Sequence, residues 1–271
     1  MRTPRSARSV ACCARSSAPR SCRMSENQFT LTRHPDGPVA IFTITRPDRA
    51  NALSHTVVDG LIAALETLPE DCEALLIAGN ATVFSAGADL GCVRGRCADP
   101  RPIQPLLDAL TTAIQAAPFP VAALIDGPCV GAAVEVVLTC DARFATTGAS
   151  LRIPATEIGT VYRSTGVENL RRRLPFVALQ SLLLFGNTIP AAHAQAWGLV
   201  ESVSDPDAAV AEFLVKLTRI STRPGVFAAQ KASLNVAAGA VSLSAESHKA
   251  ITDIRNENAG SQAPQVEMQS R

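Results

Sequence analysis

The segment that most constrains this chain is residues 121 to 141, VAALIDGPCVGAAVEVVLTCD, where a strand, a tight turn and a helix start follow one another. The apolar run from Val121 to Ile125 predicts a buried strand, and Asp126-Gly127-Pro128 predicts the turn that ends it. From Gly131 onward, small and apolar residues predict a helix that carries Glu135 in its first turn. Because a helix start presents free amides and a positive dipole end, an oxygen that gains negative charge is a suitable ligand there.

A second segment, residues 74 to 90 with the sequence ALLIAGNATVFSAGADL, has a related organisation. A buried-type strand ends at Gly79, and a small-residue turn follows, in which Gly87 allows a ligand to approach the backbone closely. Amides near Ala88 offer a second hydrogen-bond donor. Each segment alone also has an ordinary explanation, since Gly-containing turns are common and a carboxylate such as Glu135 also complements the dipole of a surface helix.

Two further motifs accompany these segments, ITRPDRANAL at residues 44–53 and AAHAQAWGLV at residues 191–200. In this order the four motifs resemble the enoyl-CoA hydratase/isomerase family, also called the crotonase family, over roughly residues 29 to 203. The resemblance implies an α/β fold with a spiral of strand-strand-helix units and a C-terminal helical region. It also implies a homotrimer or a dimer of trimers.

For the site, the resemblance implies an oxyanion hole made by the backbone amides of Ala88 and Ala132, with Glu135 as an acid/base group. An acyl-CoA thioester is the implied partner, so coenzyme A belongs to the substrate and no separate cofactor is expected. The implied reaction is hydration or dehydration of an enoyl-CoA in fatty acid metabolism. By the same resemblance, the residues that contact coenzyme A are Asp48, Arg49, Ala50, Ala86, Asp89 and Leu90.

The main departure from the family pattern is Ala155, which stands where the family has a second glutamate and can neither give nor take a proton. Glu157 replaces it only if the backbone turns it inward; otherwise it is a solvated or salt-bridged residue. In the next loop, Tyr162 is a candidate proton donor or anchor, or a partly buried side chain with a wet hydroxyl, and Arg163 is a candidate reader of a polar acyl group. Isomerase, thioester hydrolase, decarboxylase and non-catalytic acyl-CoA-binding functions therefore remain open.

The charge distribution argues against nucleic acid as a partner. Residues 1 to 23 hold six Arg and no acidic residue, so the remaining 248 residues carry 19 basic against 24 acidic side chains, a net charge of −5. A mildly acidic body does not attract a polyanion. No uncharged run reaches the ~20 apolar residues that a membrane span requires, so none is expected.

Four regions are predicted along the chain. Residues 1–23 form a disordered extension, a transit peptide or a start-site artefact upstream of Met24. Residues 24–205 form the crotonase-like core, residues 206–258 a C-terminal helical region, and residues 259–271 a loose tail. The predicted location is the cytoplasm, with the mitochondrial matrix as the alternative if residues 1–23 are a transit peptide.

The cysteine pattern predicts reduced thiols. Three of the eight cysteines lie in the extension, and an odd set without paired C-x-x-C spacing remains: Cys72, Cys92, Cys97, Cys129 and Cys140. The spacing of Cys92 and Cys97 relative to the histidines matches no zinc pattern, so no metal site is predicted.

Local patterns predict the order of elements. Residues 29–33 and 39–45 predict a hairpin, and Ser54 predicts the N-cap of a helix that ends before Pro69. Strands at 74–78, 121–125 and 142–146 then alternate with helices at 105–117 and from Gly131. Helices at 164–174, 176–185, 190–197, 206–220, 224–238 and 243–257 follow, with one short strand at 199–203 between them.

Overall fold

The computed structural model describes residues 28–80, 82–220, 223, 225–239, 249 and 252–254. The predicted extension at residues 1–23 and the predicted tail at 259–271 lie outside the described residues. Most of the predicted helix at 243–257 lies outside them as well.

Nine strands occur in the described part of the chain. They are β1 (Phe29–Arg33), β2 (Val39–Ile44), β3 (Ala74–Ala78), β4 (Val121–Ile125), β5 (Pro128–Val130), β6 (Ala142–Ala145), β7 (Ser150–Arg152), β8 (Ile189–Pro190) and β9 (Ser202–Val203). Six of them form one sheet in the order β1-β2-β3-β4-β6-β9. The β1–β2 hairpin is antiparallel, and every later neighbour in this sheet is parallel. Parallel neighbours need crossover helices, which explains the alternation predicted from the sequence.

Besides a short 3-10 helix at Pro47–Arg49, the same described residues contain nine α-helices. They are α1 (His55–Glu66), α2 (Leu90–Val93), α3 (Ile103–Ala116), α4 (Ala132–Thr139), α5 (Ser164–Arg171), α6 (Phe176–Phe185), α7 (Ala191–Ala196), α8 (Pro206–Leu217) and α9 (Val226–Ala237). Ser54 caps α1 as predicted, since its side chain accepts a hydrogen bond from the amide of Val57 at 3.3 Å. The predicted strand at 199–203 is shorter than expected and consists of Ser202 and Val203 alone.

The central strands β3 and β4 of the main sheet are buried on both faces, as their uniformly apolar sequences require, whereas the edge strand β1 is mostly exposed. Leu75 and Ile77 of β3 join the core on the face covered by α1, α3 and α4, whereas Leu76 joins a second cluster under α8. On that second face Phe213 of α8 lies 5.9 Å from Phe144 of β6, measured between ring centroids. This packing holds the carboxyl ends of β3 and β4 in fixed positions, and the candidate site lies beyond them.

A small second sheet, in the order β5-β7-β8, was not predicted. It determines where α4 begins, because β5 pairs in parallel with β7 and the amide of Gly131 donates to the carbonyl of Arg152 at 2.8 Å. Gly131, the N-cap of α4, has φ 60° and ψ −127°, a backbone region that favours glycine. The second sheet thus fixes the orientation of the first turn of α4.

The cysteines differ from the prediction in one respect. The prediction of reduced thiols is wrong for one pair, because Cys92 and Cys97 form a disulfide. These two residues meet because the chain turns sharply after α2 ends at Val93. A spacing pattern alone does not reveal such a turn. Cys72, Cys129 and Cys140 are free and buried.

Within the described ranges no helix combines the length and apolar character needed to cross a membrane.

Candidate active site

A cavity of about 260 Å³ lies between α2, α3 and the loop that follows β7. Most of its wall is apolar. It brings together several of the residues singled out from the sequence: Ala86, Ala88, Leu90, Ala132, Tyr162 and Arg163. A larger cavity of about 560 Å³ lies elsewhere, beside Asp141 and Lys231, and contains none of the candidate residues.

The two motif segments pack directly against each other at Gly87. Its φ is 81°, and a Cβ atom added there would lie 2.9 Å from the amide nitrogen of Ala132 and would collide with the carbonyl of Val130. Ser85 secures this loop, since its hydroxyl donates to the carbonyl of Asn51 at 2.7 Å and accepts from the amide of Gly87 at 3.1 Å. Only glycine at position 87 permits this approach.

The amides of Ala88 and Ala132 have no hydrogen-bond acceptor among the described residues. Ala132 is the first residue of α4, so its N–H is one of the groups that a helix leaves unpaired. Ala132 and Ala133 avoid positive φ, because the only non-glycine residues with positive φ in the described chain are Ala50 and Asn51. Two free donors therefore border the cavity, and the methyl groups of the alanines cause no backbone strain.

Glu135 is buried, with 1% of its surface exposed, and all its partners are side chains. Its oxygens accept from the Tyr162 hydroxyl at 3.1 Å, from Nη2 of Arg163 at 2.8 and 2.9 Å, and from Nδ2 of Asn169 at 3.0 Å. A carboxylate has about four acceptor positions, and these contacts occupy them. Glu135 does not line the cavity itself; Tyr162 and Arg163 separate it from the cavity.

The electrostatics of Tyr162 and Arg163 follow from this arrangement. Burial and, after it, the negative charge of Glu135 raise the pKa of Tyr162 well above its ordinary value of 10.0. For Arg163, burial disfavours the charged form, but the Glu135 carboxylate and a hydrogen bond to Asp108 outweigh it and raise the pKa. At neutral pH the pair therefore presents a protonated phenol and a cationic guanidinium.

Sequence reasoning missed two members of this network. Asp108 of α3 accepts from Nε of Arg163 at 2.7 Å, and Asn169 of α5 donates to both Glu135 and Thr139. Asp108 had a signal in the sequence, since it is a lone carboxylate in the helix that packs on α4. Asn169 had none, because an amide in a surface-type helix does not stand out.

The two glutamate positions that the sequence left open are now located. Ala155 is buried and lines the cavity, so that position offers a methyl group to a ligand. Glu157 lies outside the cavity, where its Oε2 pairs with Nη2 of Arg152 at 2.5 Å and both side chains are partly exposed. Glu157 is therefore the salt-bridged residue of the two alternatives. It lies two residues after Ala155, and at that position of the turn its side chain points to solvent.

The residues expected to contact coenzyme A divide into two groups. Asp48, Arg49 and Ala50 are exposed, and the carbonyl of Ala50 accepts from the amide of Ala86 at 2.9 Å, which joins the first motif to the cavity. Asp89 instead caps α2 and pairs with Arg46 at 3.1 Å. Burial works to raise the pKa of Asp89, but the hydrogen bonds from Arg46 and from a backbone amide outweigh it and lower the pKa. Its carboxylate is therefore already occupied.

Comparison with known proteins shows the family of the chain. The family profile described as enoyl-CoA hydratase/isomerase matches residues 35–258. The chain belongs to the enoyl-CoA hydratase/isomerase family. The fold expected from the sequence, a crotonase fold, is confirmed by solved structures that share it.

Three similar proteins illustrate the range of this family. Enoyl-CoA hydratase domain-containing protein 2, mitochondrial, of Bos taurus is 32% identical over 180 residues, which are 65% of this chain and 60% of that protein. Methylmalonyl-CoA decarboxylase of Escherichia coli (strain K12) is 29% identical over 168 residues, which are 61% of this chain and 64% of that protein. A structure from Thermobifida fusca YX in complex with CoA shares 27% identity and a TM-score of 0.68, over 86% of this chain and 94% of that one.

Proposed function

We propose that this chain binds an acyl-CoA thioester in the cavity, with the thioester oxygen held by the amides of Ala88 and Ala132. The observation that carries the proposal is that both amides lack an acceptor while Gly87 packs their segments together. Two fixed donors stabilise negative charge on an oxygen, and removal of one such donor typically costs about 3 to 4 kcal/mol of barrier. The CoA-bound structure of the Thermobifida fusca relative supports a CoA ester as the ligand.

The proposed reaction is hydration of an enoyl-CoA, or the reverse dehydration. Water adds to C3 and a proton to C2, and the electron pair of the double bond passes through an enolate whose charge rests on the thioester oxygen. The product is a 3-hydroxyacyl-CoA, so atoms and charges balance without a further reactant. The oxyanion hole serves the enolate in both directions.

Glu135 and Tyr162 are proposed to act as one proton-transfer unit. Tyr162 lines the cavity and reaches Glu135 Oε2 at 3.1 Å, whereas Glu135 lies behind it. The phenol stays protonated at neutral pH and donates to Glu135, so in the proposed step its oxygen takes a proton from the attacking water while its own proton passes to Glu135. Return of a proton through the same pair then delivers it to C2. Glu135 and the Arg163 cation hold the phenol in position, and a positioned group of this kind contributes about 10² to 10⁴ in rate.

The remaining contacts with coenzyme A are proposed for exposed groups. The side chain of Arg49 is 58% exposed, and its Nε lies 3.9 Å from Oδ2 of Asp48, which is too far for a hydrogen bond. Its guanidinium is therefore available to a phosphate. Ala86 and Leu90 line the cavity and are proposed to contact the pantetheine arm. The occupied carboxylate of Asp89 is proposed to hold α2 in place, so that only its backbone meets the ligand.

Assembly into a trimer or a dimer of trimers is also proposed. Helix α6 exposes four large apolar side chains, Phe176 (66%), Val177 (72%), Leu184 (56%) and Phe185 (68%). A patch of this kind on one helix is typical of a contact between subunits. Light scattering of the full chain tests the proposal, and a strictly monomeric mass contradicts it.

The experiment for the reaction is an assay of the conjugated thioester absorbance across a panel of enoyl-CoA esters, with the mass of each product determined. Wild type should form a product heavier by one water. Glu135→Gln and Tyr162→Phe should each abolish turnover while CoA-ester binding stays nearly intact. Glu157→Gln is the matched control, because this glutamate lies outside the cavity, and it should remain active. Unchanged turnover in Glu135→Gln removes that residue from the mechanism.

Decarboxylation is a second candidate, favoured by Ala155. With alanine there, the cavity offers one proton-transfer unit and no second carboxylate to activate water. Loss of CO₂ from a 2-carboxyacyl-CoA needs only an oxyanion hole for the enolate and one proton for C2. The Escherichia coli relative is named methylmalonyl-CoA decarboxylase, which supports decarboxylation as a reaction of this family. A product that has lost CO₂ identifies this reaction, and binding of CoA esters without any turnover indicates a non-catalytic acyl-CoA-binding protein.

A further inference from the structure

Two sulfur atoms and one imidazole converge beside the cavity wall. Cys92 in α2, Cys97 in the loop after it and His55 at the start of α1 each provide a ligand atom, and these atoms all lie within 4.8 Å of one another. Cys92 and His55 are buried. The two sulfurs form a disulfide in this structure, with the Cα atoms 4.8 Å apart.

The orientation of His55 is fixed by the backbone. Its Nε2 lies 2.8 Å from the carbonyl of Arg101, and because a carbonyl only accepts, Nε2 carries the proton. A ring protonated on Nε2 alone has its lone pair on Nδ1. Imidazoles that bind metals usually donate their other N–H to a carbonyl or carboxylate in this way.

We propose that reduction of the Cys92–Cys97 disulfide turns this cluster into a binding site for one Zn²⁺ ion. A phosphine reductant supplies two electrons, becomes a phosphine oxide with oxygen from water, and leaves two thiols protonated by the same water. Binding of Zn²⁺ then releases both thiol protons to solvent. Two thiolates and a neutral imidazole are a common donor set for zinc, and a water molecule completes the tetrahedron.

The charge balance favours this ion at a buried place. Two thiolates carry −2 and the ion +2, so the complex is neutral, whereas a single uncompensated charge there would be costly. The ion would take over the role of the disulfide as the crosslink between α2 and the loop after it. That crosslink matters because Leu90 and Val93 of α2 line the cavity together with Ile103.

The test measures zinc per chain by atomic absorption after reduction, addition of Zn²⁺ and gel filtration of the full chain. Reduced wild type should retain one zinc per chain, and the oxidised protein none at this cluster. Loss of a side chain that only hydrogen-bonds to a metal ligand already costs ~10- to 100-fold in metal affinity. Cys97→Ser and His55→Gln remove a ligand itself, so these variants should bind Zn²⁺ at least ~100-fold more weakly than wild type. Cys72→Ser is the matched control, because Cys72 is a free buried thiol outside the cluster, and it should bind as wild type does.

Cobalt(II) in place of zinc gives a second readout. Reduced wild type should show thiolate charge-transfer and tetrahedral absorption bands, and Cys97→Ser should lose them. Equal zinc content in the oxidised and reduced proteins overturns the proposal. So does zinc content or a cobalt spectrum that survives Cys97→Ser, because the metal then lies elsewhere, such as on the cysteines of residues 1–23.

Discussion

The guanidinium of Arg163 lies 2.8 Å from the carboxylate of Glu135, and only 2% of the Glu135 side chain is exposed. The residue that the sequence singled out as the acid/base group is therefore one half of a buried ion pair. Asp108 holds the other edge of the same guanidinium at 2.7 Å. Any change at Glu135 thus alters both chemistry and stability, and the two effects need separate measurements.

Replacement of one partner of this pair should be strongly destabilising. Glu135→Gln leaves Arg163 with Asp108 as its one remaining acidic partner, and loss of a partner from a buried pair typically costs about 3 to 5 kcal/mol. The double variant Glu135→Gln with Arg163→Leu should recover most of this loss, because no buried charge remains unpaired. Urea unfolding of the two single variants and the double variant measures the coupling.

The control for that cycle is the surface pair of Arg152 and Glu157. Its side chains are 40% and 46% exposed, and pairs of this kind contribute at most about 1 kcal/mol. Additive losses from Glu135→Gln and Arg163→Leu contradict the description of a coupled pair.

The phenol of Tyr162 should titrate only above its ordinary pKa. It is the single tyrosine of the chain, so phenolate absorbance reports on this residue alone. Because the folded-state pKa is raised above 10.0, the stability contributed by the protonated phenol is fully present below pH 10 and is lost as the pH rises through the folded-state pKa. In urea the same absorbance should appear near pH 10. A native phenolate at or below pH 10 is the contrary result.

How much of this molecule the sequence predicts depends on how local each signal is. Ser54 as an N-cap, the strand at 74–78, the strand at 121–125 and the helix at 176–185 were all predictable, because caps, turns and periodicity act over a few residues. The Gly87 and Gly131 turns were identified for the same reason. Their packing against each other needed the family resemblance, since neither segment specifies its partner.

The rest depends on contacts between distant parts of the chain. Glu135 and Arg163 are 28 positions apart, and no pattern in either segment shows that the guanidinium will occupy the carboxylate. Strands β5 and β7 have three residues each and are held by pairing with each other, so neither has a periodic signal of its own. The disulfide was not predicted for a related reason, because it depends on the turn that the chain makes after α2 ends at Val93.

Removal of one oxyanion donor should slow the reaction without disturbing the fold. Ala132 is the first residue of α4, a position where proline is tolerated because the amide has no helical partner. Ala132→Pro should lower kcat by about 10²- to 10³-fold. Ala132→Ser keeps the N–H at a similar volume and should lose little. Equal rates in these two variants, both folded by circular dichroism, argue against a donor role for this amide.

A carboxylate at position 155 should increase hydration. Ala155 lines the cavity, so Ala155→Glu places an acid/base group on the wall that lacks one. The expected gain in kcat for an enoyl-CoA is about 10²-fold, the lower end of what a positioned group contributes. Ala155→Gln has the same shape without a titrating proton and should give no gain. If both variants behave alike, acid/base chemistry at this position does not limit the reaction.

The most direct measurement is a crystal structure of the full chain with an unreactive acyl-CoA analogue. The thioester oxygen should lie ~2.7 to 3.1 Å from the backbone nitrogens of both Ala88 and Ala132, with C2 next to the hydroxyl of Tyr162. An oxygen bound elsewhere, or two amides that point away from it, would contradict the assignment of this cavity as the place where the thioester reacts.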